Sequence, residues 1–199
     1  MKKIFTLFLL FSLALMVKAQ DIHFSQFYTT PLSYNPAEAG NIDRGFRFVS
    51  NYKDQWASID NNYTTIFASF DLPVFYNGAG NQWGVGISFF SDKAGATKLG
   101  QTYASLSTSY QLKISRDNFV SFGLQGAYAQ WSVDLSSARW DSQYNGTSYD
   151  ATLPSGELIG SQSNSWIDVG AGAVWKMSST KKFNPVVGVS ANHVNRPNL

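Results

Sequence analysis

Cysteine is absent from this 199-residue chain, so no disulfide can staple the fold and its stability must come from elsewhere. Charge is scarce too, at 14% of residues, and no cluster of Lys or Arg is dense enough to track a phosphate backbone, which sets nucleic acid aside as a partner. The two histidines, His23 and His193, lie far apart with no Cys or carboxylate at ligand spacing, so neither a metal centre nor a cofactor site is expected. No Gly-x-Ser-x-Gly elbow supports a serine nucleophile. Gly78, Gly80 and Gly84 approach a dinucleotide-binding loop, but the spacing is wrong and a strand pattern follows instead of a helix. The sequons at Asn62 and Asn145 carry no further support. Catalysis is therefore not expected. After residue 19 there is also no apolar run of about 20 residues, which excludes spanning helices.

The apolar run that does exist is at the start. Lys2 and Lys3 precede an apolar stretch from Ile4 to Val17, and Val17 and Ala19 sit at the −3 and −1 positions of a small-residue cleavage site. Residues 1–19 read as a secretory signal peptide, with Gln20 as the mature N-terminus, and no Cys follows that could carry a lipid anchor. Loss of Lys2, Lys3 and Lys18 takes the 15 basic residues to 12 against 13 acidic ones, so the basic balance of the precursor belongs to the leader.

The remaining chain alternates. Phe46, Phe48, Ser50 and Tyr52 share one face of an extended segment, and Ile66, Ala68 and Phe70 share the next. The pattern repeats with Trp83, Val85, Ile87 and Phe89, then with Ala104, Leu106, Tyr110 and Leu112. It continues through Val120, Phe122, Leu124 and Tyr128, through Ile167, Val169, Ala171, Ala173 and Trp175, and through Val187, Val189 and Ala191. A period of two predicts seven strands with one apolar face each.

The opposite face decides the class. A soluble sheet studs its polar face with Lys and Glu. Here that face carries Gly84, Gly86, Ser88, Ser105, Ser107, Ser109, Ser121, Gly123, Gln125, Gly170 and Gly172, with Arg47, Asp71 and Asp168 as the charged exceptions. Small neutral residues suit a crowded lumen, and the apolar face bears no charge, as lipid requires when a mid-depth charge costs roughly 2–4 kcal/mol. Segments such as Gln101–Leu112 and Trp166–Trp175 approach the ~9–11 residues of a tilted spanning strand. Tyr52, Trp83, Tyr110, Trp131, Trp166 and Trp175 near strand ends read as an interfacial girdle. The fold class expected is an all-β antiparallel transmembrane barrel in the cell outer membrane, with lipid around it.

Short turns are expected at 77–81 and 115–118. Longer connections are expected over Lys53–Asn62 and the polar 134–165, with Asp60, Asp92, Lys93, Arg116 and Asp117 among the connecting residues. Seven strands is an odd count for a bacterial barrel, and the chain stops on a polar turn, so it reads as the N-terminal portion of a longer barrel. Gln20–Gly40 is neither helix-like nor strand-like, yet carries Phe24, Phe27, Tyr28 and Tyr34. It reads, through residue 45, as a strap that packs on the barrel or plugs its mouth.

That segment also carries a resemblance. Phe24-Ser25-Gln26-Phe27-Tyr28, Pro31-Leu32 and Asn35-Pro36-Ala37-x-Ala39-Gly40 are similar to the opening motif of the PorP/SprF family. Tyr52-Lys53-Asp54-Gln55-Trp56 resembles its Tyr-Arg-x-Gln-Trp signature, with Lys53 in place of Arg, so a bidentate contact is not expected there. Asp92-Lys93-Ala94-Gly95 and His193-Val194-Asn195-Arg196-Pro197 extend the match in order. The resemblance implies an outer-membrane barrel of the type IX secretion system of Bacteroidota, linked to protein export, gliding adhesins or cell-surface anchoring. The partners implied are a secreted protein with a C-terminal sorting domain and other secretion components. A small-solute porin is the alternative. Gln55 and Trp56 read either as a strand-end anchor or as contact residues.

Overall fold

The computed structural model describes residues 27–56, 58, 62–95, 99–135, 138–156, 162–179 and 183–195. The expected signal peptide and its cleavage site, Phe24, Ser25 and Gln26, Asp60, and Pro197 all lie outside the described residues.

Seven strands follow one another: β1 (Arg47–Gln55), β2 (Tyr63–Tyr76), β3 (Gln82–Ala94), β4 (Leu99–Lys113), β5 (Asn118–Val133), β6 (Gln162–Met177) and β7 (Val186–Ala191). Each pairs antiparallel with the next, in the spatial order β1-β2-β3-β4-β5-β6-β7, and the sheet curls into a half-barrel. The all-β antiparallel architecture expected from the alternation is the one observed.

Local chemistry explains the turns. Between β2 and β3 the Asn77 side chain accepts a hydrogen bond from the Asn81 N–H at 2.8 Å, and Gly80 supplies a φ of +88°. Between β4 and β5 the Ile114 N–H donates to the Asn118 carbonyl at 2.9 Å. These turns and the β6–β7 connection share one end of the sheet, here the short-turn end. The long β5–β6 connection is at the other.

Several strands run further than the alternation predicted. β1 continues through Lys53, Asp54 and Gln55, and β6 takes in Gln162 to Ser165. Asp92 and Lys93 are the end of β3, where Asp92 accepts a hydrogen bond from the Thr65 hydroxyl across the β2–β3 pair. Pairing with a neighbouring strand carries these polar residues past the apolar stripe that made the strands visible.

The two faces separate cleanly. On the convex side Phe48, Ile66, Trp83, Ile87, Leu106, Phe122, Leu124, Tyr128, Ile167 and Val189 are all exposed. On β4 this apolar band runs from Ala104 to Leu112, roughly 30 Å of strand at ~3.4 Å per residue, which a tilt reduces to about the 25 Å height of a spanning belt. Above it, toward the long connection, the outward residues Thr102, Gln130 and Ser165 are polar. Trp131 and Trp166 correct the girdle expectation. They share parity with Ala129 and Asp168, so they face the concave side, with Trp131 opposite Gln101 and Asn164 in register.

Candidate functional site

The concave face is occupied by the chain's own N-terminal segment. Residues 27–41 form three short helical pieces, Phe27–Thr29, Pro31–Tyr34 and Pro36–Glu38, and Thr30, Leu32, Asn35, Pro36, Ala37, Ala39, Gly40 and Asn41 are buried. Pro31 and Pro36 each open a helical turn, where a missing N–H costs nothing. The Asn35 side chain accepts the Ala37 N–H at 2.9 Å and so starts the second of these turns.

From Asn35 to Gly40 this strap crosses the strands in reverse order, and at most crossings it lies on a glycine. A Cβ on Gly172 of β6 would strike the Asn35 side chain, and one on Gly123 of β5 would strike the Pro36–Ala37 backbone. On Gly84 of β3 it would meet the Ala39 carbonyl, and on Gly86 it would come within 2.8 Å of the Leu32 side chain. The glycines let one backbone lie directly on another. At the β4 crossing a serine takes that place, and the Ser109 hydroxyl donates to the Ala39 carbonyl at 2.6 Å.

Polar anchors fix both ends. The Asn35 amide donates to the Ala173 and Val189 carbonyls, each at 3.2 Å, and the Ser190 hydroxyl donates to the Tyr34 carbonyl at 2.6 Å. At the other end the Gln82 amide donates to the carbonyls of Gly40 and Ile42. The Gly40 N–H donates to Asp71 Oδ2 at 2.7 Å. Arg47 holds the same fully buried carboxylate by two nitrogens, Nε at 2.9 Å and Nη2 at 2.8 Å, and also donates to the Glu38 carbonyl at 2.8 Å. The buried charge is thus paired and its lone pairs are used.

Burial pushes the Glu38 carboxyl above the usual carboxylate range, against the opposing charges of Arg47 and Lys176 and the hydrogen bond from Asn41. The docked strap takes up that proton at a higher pH than the unfolded chain does. Docking therefore gains as pH falls through the raised value and is weakest above it. Glu38→Gln is expected to protect the strap's amides at neutral pH at least as well as wild type and to abolish that gain, measured by hydrogen exchange across a pH series.

A second polar cluster lies on the same face, nearer the long connection. Asp168, buried, accepts from the Tyr103 hydroxyl at 3.0 Å and pairs with His193 Nδ1 at 2.9 Å, while the Gln125 amide donates to the Ser105 and Ser107 hydroxyls. Tyr103 stacks on Phe90 with ring centroids 5.1 Å apart. Sequence spacing gave no sign that His193 has a carboxylate neighbour. Their meeting depends on the chain turning after β7, where His193 adopts φ +54°. Asn195 then bonds the β6 backbone, donating to the Ile167 carbonyl at 2.6 Å and accepting the Val169 N–H at 3.2 Å.

The profile of the type IX secretion system membrane protein PorP/SprF family matches residues 16–199. The chain belongs to the PorP/SprF family. No curated protein and no solved structure matches it. PorP/SprF proteins are membrane components of the type IX secretion system, so this chain is one such component.

The structure distributes the PorP/SprF signature residues over four places. Pro31, Asn35, Pro36 and Gly40 are strap residues seated on the concave face. Tyr52, Gln55 and Trp56 lie on β1 and just beyond it, at the end near the long connection. There Trp56 is exposed at φ +61° and meets Tyr63 edge-on with centroids 5.2 Å apart. Asp92 and Gly95 close β3, Gly95 at φ +70°, with its N–H donating to the Asn62 carbonyl at 3.3 Å. His193 stands apart from all of these, beside Asp168. Sequence reasoning missed the seat itself: Gly84, Gly123, Gly172, Gln82 and Ser109. The usable signal was glycine at inward parity on several strands, which composition had assigned simply to a crowded lumen.

Proposed function

We propose that this PorP/SprF protein is an outer-membrane barrel that holds a secreted partner at the cell surface, with its lumen sealed by its own strap. The observation that carries the reading is the position of the seal. The strap lies on residues of β3–β6 that are in the same rows as the convex apolar band, so the concave side is filled at the depth where that band meets lipid. A porin needs that depth open, usually with opposed charged rings. Here the inward charges Arg47 and Asp71 are consumed by the strap clasp. No catalytic role is assigned. The signal peptide expected at residues 1–19 and the exposed apolar band on the convex side support the outer-membrane location.

The partner-facing surface in this reading is the long β5–β6 connection. It has order of its own. A short helical turn at Asp141–Gln143 and a bridge between Tyr144 and Tyr149 frame it, and buried Gln143 donates to the Leu153 carbonyl at 3.2 Å. Arg139 stacks over the Tyr149 ring at 5.1 Å, and Asp150 accepts from Thr152, which lowers its pKa. Tyr144 is left exposed on this frame, the kind of rigid aromatic that interfaces favour. A folded secreted protein with a C-terminal sorting domain is the partner proposed.

Deleting Asp141 to Gly160 is expected to abolish surface retention of the secreted partner while the barrel still assembles in the membrane, read by surface labelling of intact cells. Normal retention in the deletion strain would refute the role of the loop. Steady open channels from the pure protein in planar bilayers would favour the porin.

A further inference from the structure

The strap leads directly into the first strand, and the two are fastened to each other at one residue. Arg47 opens β1 and stands opposite Asp71 of β2 in register. Its guanidinium grips the Asp71 carboxylate and the Glu38 carbonyl, while the second Asp71 oxygen also receives the Gly40 N–H. Between clasp and strand the chain turns through Gly40 at φ +62° and Gly45 at φ +83°. Among the described residues β1 pairs with β2 alone.

We propose that β1 is the latch of the strap: moving β1 away from β2 and releasing the strap from the concave face are one transition, joined through Arg47 and Asp71. Displacing β1 takes Arg47 with it. Asp71 is then left buried without its guanidinium partner, keeping the Gly40 N–H, and the Glu38 carbonyl loses one of its two donors and keeps the Asn41 N–H. The favourable response is for the strap end to lift, which rehydrates all three groups. In the other direction, lifting Gly40 removes one Asp71 donor and pulls on β1 through a linker of a few residues. Coupling of this kind is reciprocal. The far end has anchors of its own, since Asn35 and Tyr34 are held by β6 and β7, so a change there reaches β1 only through the strap.

The absence of native cysteine makes the test direct. Leu32→Cys, a buried strap position filled by a smaller side chain, reports strap release through its rate of thiol labelling in the full-length protein in membranes. Adding Arg47→Gln is expected to raise that rate on the order of tenfold or more. Hydrogen exchange on the Phe48–Tyr52 amides reports β1. Gly84→Ala, which drives a Cβ against the Ala39 carbonyl beside the clasp, is expected to speed that exchange more than Gly172→Ala does at the Asn35 end. Unchanged labelling with Arg47→Gln, or unchanged β1 exchange with Gly84→Ala, overturns the latch. So does equal acceleration by both glycine variants, which would mean general loosening. Arg47→Lys, which keeps the charge but not the two-point grip, is measured alongside and gives the same order of effects at smaller amplitude even where the Gln variant assembles poorly. Partner retention is a separate readout, so failure here leaves the anchoring role standing.

Discussion

Replacing Gly123 with valine is expected to expel the strap and cost about 3 kcal/mol, the upper range for overpacking a well-filled site. A Cβ at this position falls on the Pro36–Ala37 backbone, which cannot rotate aside as a flexible side chain could. Gly126, three residues further along β5, is the control. It faces outward, and a Cβ there has open space within 4 Å. Gly126→Val should stay within about 0.5 kcal/mol of wild type, since the β-branched side chain suits a strand and strikes nothing. Urea unfolding in lipid vesicles, with proteolysis of the strap as a second readout, separates the pair. Equal effects from the two substitutions would mean the strap does not occupy the glycine trough in the membrane.

The second large effect concerns lipid. Leu124 lies on the convex face in the central row of the apolar band, beside Thr108 in register, and is exposed. Leu124→Lys is expected to cost roughly 2–4 kcal/mol, because a charge at that depth has neither water nor a partner. Gln130→Lys, on the same strand and the same face but above the band, should cost about 0–1 kcal/mol. The contrast depends on depth alone: strand, face and introduced residue are held constant. A barrel stabilised in detergent-free buffer by Leu124→Lys would reverse the assignment of the convex face.

Much of the architecture was legible because strand alternation is a local property. Two neighbouring residues on a strand point to opposite sides whatever the rest of the chain does, so the stripe of Phe122, Leu124 and Tyr128 and the stripe of Ser121, Gly123 and Gln125 could be separated by counting. Strand ends were less legible. Asp92, Lys93 and Gln162–Ser165 are polar, and only pairing with β2 and β5 makes them strand. Trp131 and Trp166 were misplaced for a related reason: position near a strand end suggested the girdle, but parity puts both on the concave side.

The sequence by itself determined the seven strands of the described residues, the polarity of each face and the order of the family motifs, since each of these is written in residues close together along the chain. Only the tertiary structure decided what the Asn35-Pro36-Ala37-x-Ala39-Gly40 segment does. Its seat is assembled from single glycines and one serine on β3, β4, β5 and β6, and its clasp from Arg47 and Asp71, partners chosen by register. The same holds for His193 and Asp168, brought together by a left-handed turn after β7. Contacts across a curved sheet depend on how many strands intervene and how each is shifted against the next, and no local pattern encodes that sum.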